Sequence, residues 1–116
     1  MAVKKRPVAP LPELARQPAP LAQGHRMCAG CTLPTIVNLA LRSADTPVVV
    51  TTATGCLEVT TSVYPHNAWN VPWFHSAFEN AASTIIGIEA AYKALVRKGK
   101  LPQDRRIKFI AFAGDG

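Results

Sequence analysis

The sequence is poor in cysteine and has no long apolar run, and each shortage argues against a class of protein. Three cysteines among 116 residues are too few, and odd in number, for a secreted domain held together by disulfides. No stretch of about 18 apolar residues is present, so no transmembrane helix is predicted. The basic first residues are not followed by an apolar segment and do not predict a secretory signal. We therefore expect a cytoplasmic protein with no membrane partner, in a reducing compartment.

Acidic residues are also scarce, because seven Asp or Glu stand against 13 Lys or Arg, which gives a net charge of +6. Residues 93–108 alone carry seven of the basic residues and a single Asp. A nucleic-acid-binding surface would interleave such residues with aromatic ones, whereas basic residues at a helix end and in the next loop are ordinary. We therefore predict no nucleic-acid partner. With 48% hydrophobic and 17% charged residues, the chain is expected to contain a globular domain.

The first 23 residues are rich in proline. Proline removes a backbone donor and restricts φ, so a dense set of prolines favours an extended chain over a packed element. We expect residues 1–23 to form an extended N-terminal arm and residues 24–116 to form the domain. The prolines of this arm are Pro7, Pro10, Pro12, Pro18 and Pro20.

The remaining sequence predicts an α/β fold. Apolar residues recur at helical spacing over residues 34–42 and 78–98, whereas residues 47–52 and 107–113 are short apolar runs typical of buried strands. A strand, a connection that contains a helix and a second strand predict a right-handed βαβ crossover with a parallel sheet. Two strands do not complete a doubly wound sheet, so we interpret the sequence as the N-terminal piece of a longer polypeptide.

The connection at residues 53–77 has no sustained periodicity, and a connection of this length is more often functional than idle. It contains several aromatic residues, and one more follows it. These side chains either face a cofactor or pack in the core or at a subunit interface, and the sequence does not separate the two interpretations. They are Tyr64, Trp69, Trp73, Phe74 and Phe78.

Cys28 and Cys31 form a Cys-x-x-Cys motif, and Cys56 follows at the start of the long connection. Two thiolates at this spacing can bind one metal ion or cluster, but iron–sulfur clusters and structural zinc usually need four ligands. Buried thiols that act as small apolar side chains are the alternative. A histidine could supply a fourth ligand, although a structural hydrogen bond is the more common role of a single histidine. The candidates are His25, His66 and His75.

Gly114, Asp115 and Gly116 follow the last predicted strand directly. A carboxylate is a hard oxygen ligand for a divalent cation, and glycine allows the backbone to approach a phosphate. The tripeptide alone is more often a simple turn. Its position at the end of a strand favours a ligand site, because open α/β sheets bind ligands at the carboxyl ends of their strands.

Three segments resemble one known family. They are GHRMCAGC, TTATGCLEVTTSVYPHNAWNVPWFHSAFENAA and IKFIAFAGDG, and they lie in this order between residues 24 and 116. This set of motifs resembles the beta subunit of pyruvate:ferredoxin oxidoreductase, also called pyruvate synthase. The resemblance is far more specific than the Cys-x-x-Cys motif or the Gly-Asp-Gly tripeptide alone.

The resemblance implies an α/β domain that binds thiamine diphosphate with Mg²⁺. It implies that Asp115 is a Mg²⁺ ligand and that Gly114 and Gly116 flank the diphosphate. It also implies that three cysteines ligate a 4Fe–4S cluster close to the cofactor, with a fourth cysteine and a Mg²⁺-binding asparagine beyond residue 116. The implied cluster ligands are Cys28, Cys31 and Cys56, and the implied cofactor contacts are Thr54, Gly55, Cys56 and Leu57.

The implied activity is the oxidative decarboxylation of pyruvate to acetyl-CoA and CO₂, with electrons passing through the cluster to ferredoxin. The implied partners are alpha, gamma and delta subunits, ferredoxin, coenzyme A and pyruvate. Thr32 and Leu33 depart from the family pattern after the second cysteine, so the resemblance implies no cofactor contact from these two positions, whereas the implied cluster ligands are unaffected. No catalytic residue is assigned, and the isolated chain is expected to be inactive because part of the site lies beyond it.

Two alternatives remain open. The chain could belong to the same enzyme class acting on a branched-chain or aryl 2-oxo acid, because this subunit says little about the substrate side chain. It could also be a small, non-enzymatic zinc module that uses the three cysteines and one histidine.

Overall fold

The computed structural model of the chain describes residues 8–114 and contains four helices and three strands in that range. None of these helices is both long and apolar enough to span a bilayer. The elements are α1 (Leu11–Arg16), α2 (Leu33–Arg42), β1 (Val48–Ala53), α3 (Cys56–Thr61), β2 (Trp73–Ser76), α4 (Ala81–Arg97) and β3 (Lys108–Phe112).

The three strands form a parallel sheet in which β1 lies between β2 and β3. Val50 pairs with Trp73 of β2 on one side and with Ile110 of β3 on the other. The α/β class and the parallel pairing are confirmed. β2 was not predicted, because its four residues show no alternation of apolar and polar side chains and lie inside the irregular connection.

The core lies between α2 and one face of β1, since alternate residues of a strand point to opposite faces. Val50 is fully buried on that face, whereas the neighbouring Thr51 points the other way and donates a 3.0 Å hydrogen bond to the carbonyl of Ala81 at the start of α4. The sheet is therefore covered by α2 on one face and by α4 on the other. The buried core cluster consists of Leu21, Val37, Leu41, Val48, Val50, Ala68 and Trp69.

The expectation of an extended, unpacked arm is wrong for the described part of residues 1–23. Residues 11–16 form α1, and Pro12 lies in its first turn, where a proline without an N–H is well tolerated. Leu14 is 6% exposed and Leu21 only 1%, so both are buried. The prediction of an extended arm was based on the prolines, whereas burial of the two leucines packs this segment against the rest of the domain. The division of the chain at residue 23 stays a prediction.

Asn38 of α2 fastens this N-terminal segment to the core. Its Oδ1 accepts the Leu21 N–H at 3.0 Å, and its Nδ2 donates to the Leu21 carbonyl at 3.2 Å. On the opposite side of the segment, the Ala22 N–H donates to the Ala68 carbonyl at 2.7 Å. Both backbone groups of buried Leu21 and the N–H of Ala22 thus have hydrogen-bond partners, although these residues lie outside the sheet.

Replacing Asn38 with Ala should destabilise the fold by about 1–3 kcal/mol, because both backbone groups of buried Leu21 lose their partner. Asn70→Ala is a matched control, since the Asn70 amide donates to the Ala19 carbonyl at 2.9 Å in an exposed position. The control should cost less than about 1 kcal/mol. Urea unfolding of the reduced chain measures both values, and equal losses would contradict the role given to Asn38.

Candidate functional site

The residues that follow β1 lie at the carboxyl edge of the sheet. The Thr54 N–H donates to the Ser76 carbonyl at 3.0 Å, which extends the β1–β2 ladder by one residue. Gly55 follows, and α3 begins at Cys56. Gly114 lies shortly after the end of β3, the strand that pairs with the other side of β1. Since parallel strands end at the same edge, the segments around Gly55 and Gly114 both lie there.

Space is available beside both glycines at this edge. A Cβ atom placed on Gly55 or on Gly114 would meet no heavy atom within 4 Å. Within the described residues, neither glycine is therefore packed against a neighbouring segment. Asp115 and Gly116, the predicted Mg²⁺ ligand and the second diphosphate neighbour, lie outside the described residues.

A chain of polar side-chain contacts connects α3, β2 and the end of β1. Glu58 of α3 is 6% exposed, and its Oε1 lies 3.3 Å from Nδ1 of His75. The Ser62 hydroxyl donates to the same carboxylate oxygen at 2.8 Å. On the other side of the imidazole, Nε2 of His75 lies 3.0 Å from the Thr54 hydroxyl oxygen. The buried carboxylate thus has two polar partners, as burial of a charged group requires.

The sequence reasoning expected a structural hydrogen bond for a single histidine, and His75 makes such bonds. It missed Glu58 because α3 was not predicted. Without that helix, nothing in the sequence indicates that Glu58 is buried and faces His75.

The three cysteines are free, with Cys28 and Cys56 exposed and Cys31 half-buried. In the Cys-x-x-Cys loop, the Cys31 N–H donates to the Cys28 carbonyl at 3.1 Å, and Gly30 has a φ of 78°. That positive φ favours glycine at this turn. Exposed and half-buried thiols do not fit the alternative that all three serve as buried apolar side chains.

The loop that carries the first two cysteines is attached to the helix that carries the third. The Arg26 N–H donates to the Thr60 carbonyl of α3 at 2.9 Å, and Met27 and Leu57 both pack against the core cluster. Among residues 8–114, however, no group of three or more His, Cys, Asp or Glu side chains is close enough to hold a metal ion. The two segments are joined, and ligation of a cluster by the three thiols stays a prediction.

The two tryptophans of the long connection pack inside the structure. Their rings stack with centroids 5.8 Å apart and an angle of 4° between the planes. Nε1 of Trp69 donates to the Thr61 hydroxyl at 2.9 Å, and Nε1 of Trp73 donates to the Thr52 hydroxyl at 3.0 Å. The packing interpretation therefore applies to this pair, whereas the other three aromatic side chains are exposed, namely Tyr64, Phe74 and Phe78.

The basic stretch at residues 93–108 lies at the end of α4, in the following loop and at the start of β3, and most of its charges face solvent. Lys93 pairs with Glu89 at 2.7 Å, and Lys108 pairs with Asp45 at 2.8 Å. The Tyr92 hydroxyl donates to the Arg105 carbonyl at 2.9 Å and holds the loop against the helix.

Comparison with known proteins identifies relatives over most of the chain. The chain is 54% identical over 99 residues to pyruvate synthase subunit PorB of Thermotoga maritima, and the aligned region covers 83% of this chain and 31% of that subunit. It is 54% identical over 95 residues to PorB of Methanocaldococcus jannaschii, covering 82% and 32%. It is 33% identical over 93 residues to ketoisovalerate oxidoreductase subunit VorB of Pyrococcus abyssi, covering 80% and 29%. No protein-family model matches the chain.

These identities confirm the resemblance inferred from the motifs, and the chain belongs with the PorB subunits of pyruvate synthase over its aligned residues. It spans between 29% and 32% of the length of the three relatives.

Replacing Thr61 with Val tests how α3 is held in the site. The Thr61 hydroxyl is buried and accepts the indole N–H of Trp69, so the variant leaves a buried donor unpaired and should lose about 1–3 kcal/mol of stability. Thr60→Val is the matched control, because Thr60 lies next to it in α3 and its hydroxyl bonds only within the helix, to the Cys56 carbonyl at 2.6 Å. Urea unfolding followed by tryptophan fluorescence compares the two, and equal midpoints would contradict this account.

Proposed function

We propose that this chain supplies part of the active site of a 2-oxoacid:ferredoxin oxidoreductase that converts pyruvate, coenzyme A and an oxidised electron carrier to acetyl-CoA, CO₂ and the reduced carrier. The observation that carries the proposal is the 54% identity to two subunits named pyruvate synthase PorB. An identity at this level over more than 80% of the chain is expected of proteins that share the chemistry of the aligned segment.

The carboxyl edge of the sheet is the proposed place for thiamine diphosphate. Thr54, Gly55, Cys56 and Leu57 would contact it from the end of β1 and the start of α3, and Gly114 and Gly116 would flank the diphosphate. The position of both segments at the carboxyl ends of neighbouring parallel strands supports this fit, because open α/β sheets bind ligands there. When bound, thiamine diphosphate supplies the electron sink for decarboxylation of a 2-oxo acid. The protein's part is to position the reacting atoms and, through Asp115, to hold the Mg²⁺ that neutralises the diphosphate.

Cys28, Cys31 and Cys56 are the proposed ligands of a 4Fe–4S cluster, with a fourth cysteine supplied from outside this chain segment. Thiolates are the usual ligands of such clusters, and all three thiols are free and at least partly accessible. The hydrogen bond from Arg26 to Thr60 supports the assignment, because it joins the segments that carry them. The cluster would supply the route for single electrons from the active site to ferredoxin.

The proposed partners are the alpha, gamma and delta type subunits of the same enzyme, together with ferredoxin. The names of the relatives describe them as subunits, which supports an assembly. The exposed basic residues at 93–108 would speed the approach of an acidic electron carrier. The small and odd number of cysteines supports a reducing, cytoplasmic compartment.

A branched-chain 2-oxo acid is the second candidate substrate, because one relative is a ketoisovalerate oxidoreductase subunit. Its identity of 33% is lower than the 54% shared with the pyruvate synthase subunits, which favours pyruvate. Turnover of both acids by the assembled enzyme, compared as kcat/KM, separates the two candidates.

Replacing Cys56 with Ser should remove the cluster from the assembled enzyme. Its iron content should fall by about four atoms per copy of this chain, and 2-oxo-acid-dependent reduction of a viologen dye should be lost. Thr60→Ser, four residues along the same helix, is the control and should keep both iron and activity. An unchanged iron content in the Cys56 variant would refute the cluster assignment, and stoichiometric zinc in the wild-type protein would favour the zinc module.

Replacing Asp115 with Asn should weaken Mg²⁺-dependent binding of thiamine diphosphate to the assembled enzyme. The loss should be about tenfold or more, since even residues that only orient a metal ligand contribute 10- to 100-fold. Asp104→Asn is the control, because Asp104 is an exposed carboxylate in the loop before β3. Calorimetric titration at fixed Mg²⁺ measures the affinity, and equal affinities for both variants and the wild type would rule out Asp115 as the ligand.

A further inference from the structure

The two polar neighbours of the His75 imidazole favour one of its tautomers, because each ring nitrogen faces a different kind of group. Nδ1 lies 3.3 Å from a carboxylate oxygen of Glu58, and a carboxylate can only accept a hydrogen bond. In a neutral imidazole the negative charge of the nearby carboxylate favours the tautomer with its proton on Nδ1, and Nε2 is then an acceptor. The Thr54 hydroxyl, 3.0 Å from Nε2, is then the donor.

The Thr54 hydroxyl has one hydrogen and two candidate acceptors. The alternative to Nε2 of His75 is the Ser76 carbonyl, which lies at the longer distance of 3.2 Å. With its hydrogen directed to the imidazole, the Thr54 oxygen keeps its lone pairs for another partner. Thr54 is half-buried and directly precedes Gly55, at the carboxyl edge of the sheet.

Glu58 is held firmly enough to control the imidazole. It is 6% exposed and lies in α3, and the Ser62 hydroxyl lies 2.8 Å both from the carboxylate oxygen that faces His75 and from the Glu58 backbone carbonyl. His75 itself is held by the pairing of β2 with β1, in which it stands opposite Thr52. Glu58 and His75 thus belong to α3 and β2, and Thr54 directly follows the end of β1.

We propose that Glu58 and His75 are positioning residues that direct the Thr54 hydroxyl hydrogen towards the imidazole, so that the Thr54 oxygen accepts a hydrogen bond from an amino group of the bound cofactor. The proposal rests on the proposed function, because it takes thiamine diphosphate, which carries such an amino group, as the ligand at this edge. His75 touches neither cofactor nor substrate in this scheme and acts through Thr54.

The test is a double-mutant cycle on the assembled enzyme, read as the dissociation constant of thiamine diphosphate at fixed Mg²⁺. His75→Phe removes the acceptor while keeping a ring of similar shape, and Thr54→Val removes the hydroxyl. Each should weaken binding about three- to tenfold, the range expected for one hydrogen bond. Because both act through one oxygen, the double variant should bind no more weakly than Thr54→Val alone.

Two further variants separate positioning from a merely structural role. In His75→Gln an amide oxygen can again accept from Thr54, so the affinity should recover towards the wild-type value. His66→Phe, an exposed histidine of the same connection, should leave the affinity unchanged. Multiplicative losses in the double variant, or wild-type affinity in His75→Phe, would overturn the proposal.

The tautomer gives a readout that needs no cofactor. Nitrogen NMR of the ¹⁵N-histidine-labelled chain should show His75 with a protonated Nδ1 and an unprotonated Nε2, and Glu58→Gln should shift this balance. The opposite tautomer in the wild-type chain would overturn the proposal. If the wild-type assembly does not bind thiamine diphosphate at all, the proposed function fails, whereas normal binding with no loss in the variants refutes only the role of His75.

Discussion

The site depends on one constraint, which is that β1 is hydrogen-bonded on both sides. Its backbone pairs in register with β2 and with β3, and Val50, Thr51 and Thr52 are almost completely buried. A strand held in this way cannot shift by one residue without exchanging its two faces. The turn at Thr54 and Gly55 therefore has a defined position at the sheet edge, and α3 starts from it.

Much of the fold could be predicted because its main elements have strong local patterns. The β-branched run of β1 and the apolar periodicity of α4 are visible in the sequence, and Pro34 marks the first turn of α2. Three short elements escaped prediction, because their four or six residues provide too little periodicity. In α1 the effect of proline was overestimated, since burial of Leu14 and Leu21 stabilises a segment whose composition suggested an open chain.

The candidate site was predictable in its motifs but not in its contacts. Cys28, Cys31, Cys56 and Gly114 stand out by residue type and spacing, and motif resemblance adds the segment from Thr54 to Leu57. The contact between Glu58 and His75 joins a helix and a strand that were both missed. Stacking of the two tryptophans is likewise a tertiary contact, and sequence alone left it undecided between packing and cofactor binding.

The order β2–β1–β3 leaves each outer strand of the described sheet paired along one side only. β2 is four residues long, and its Phe74 side chain is 55% exposed. Unpaired strand edges with apolar side chains are templates for strand addition between molecules. Concentrated solutions of this chain are therefore expected to self-associate through the unpaired sides of β2 and β3.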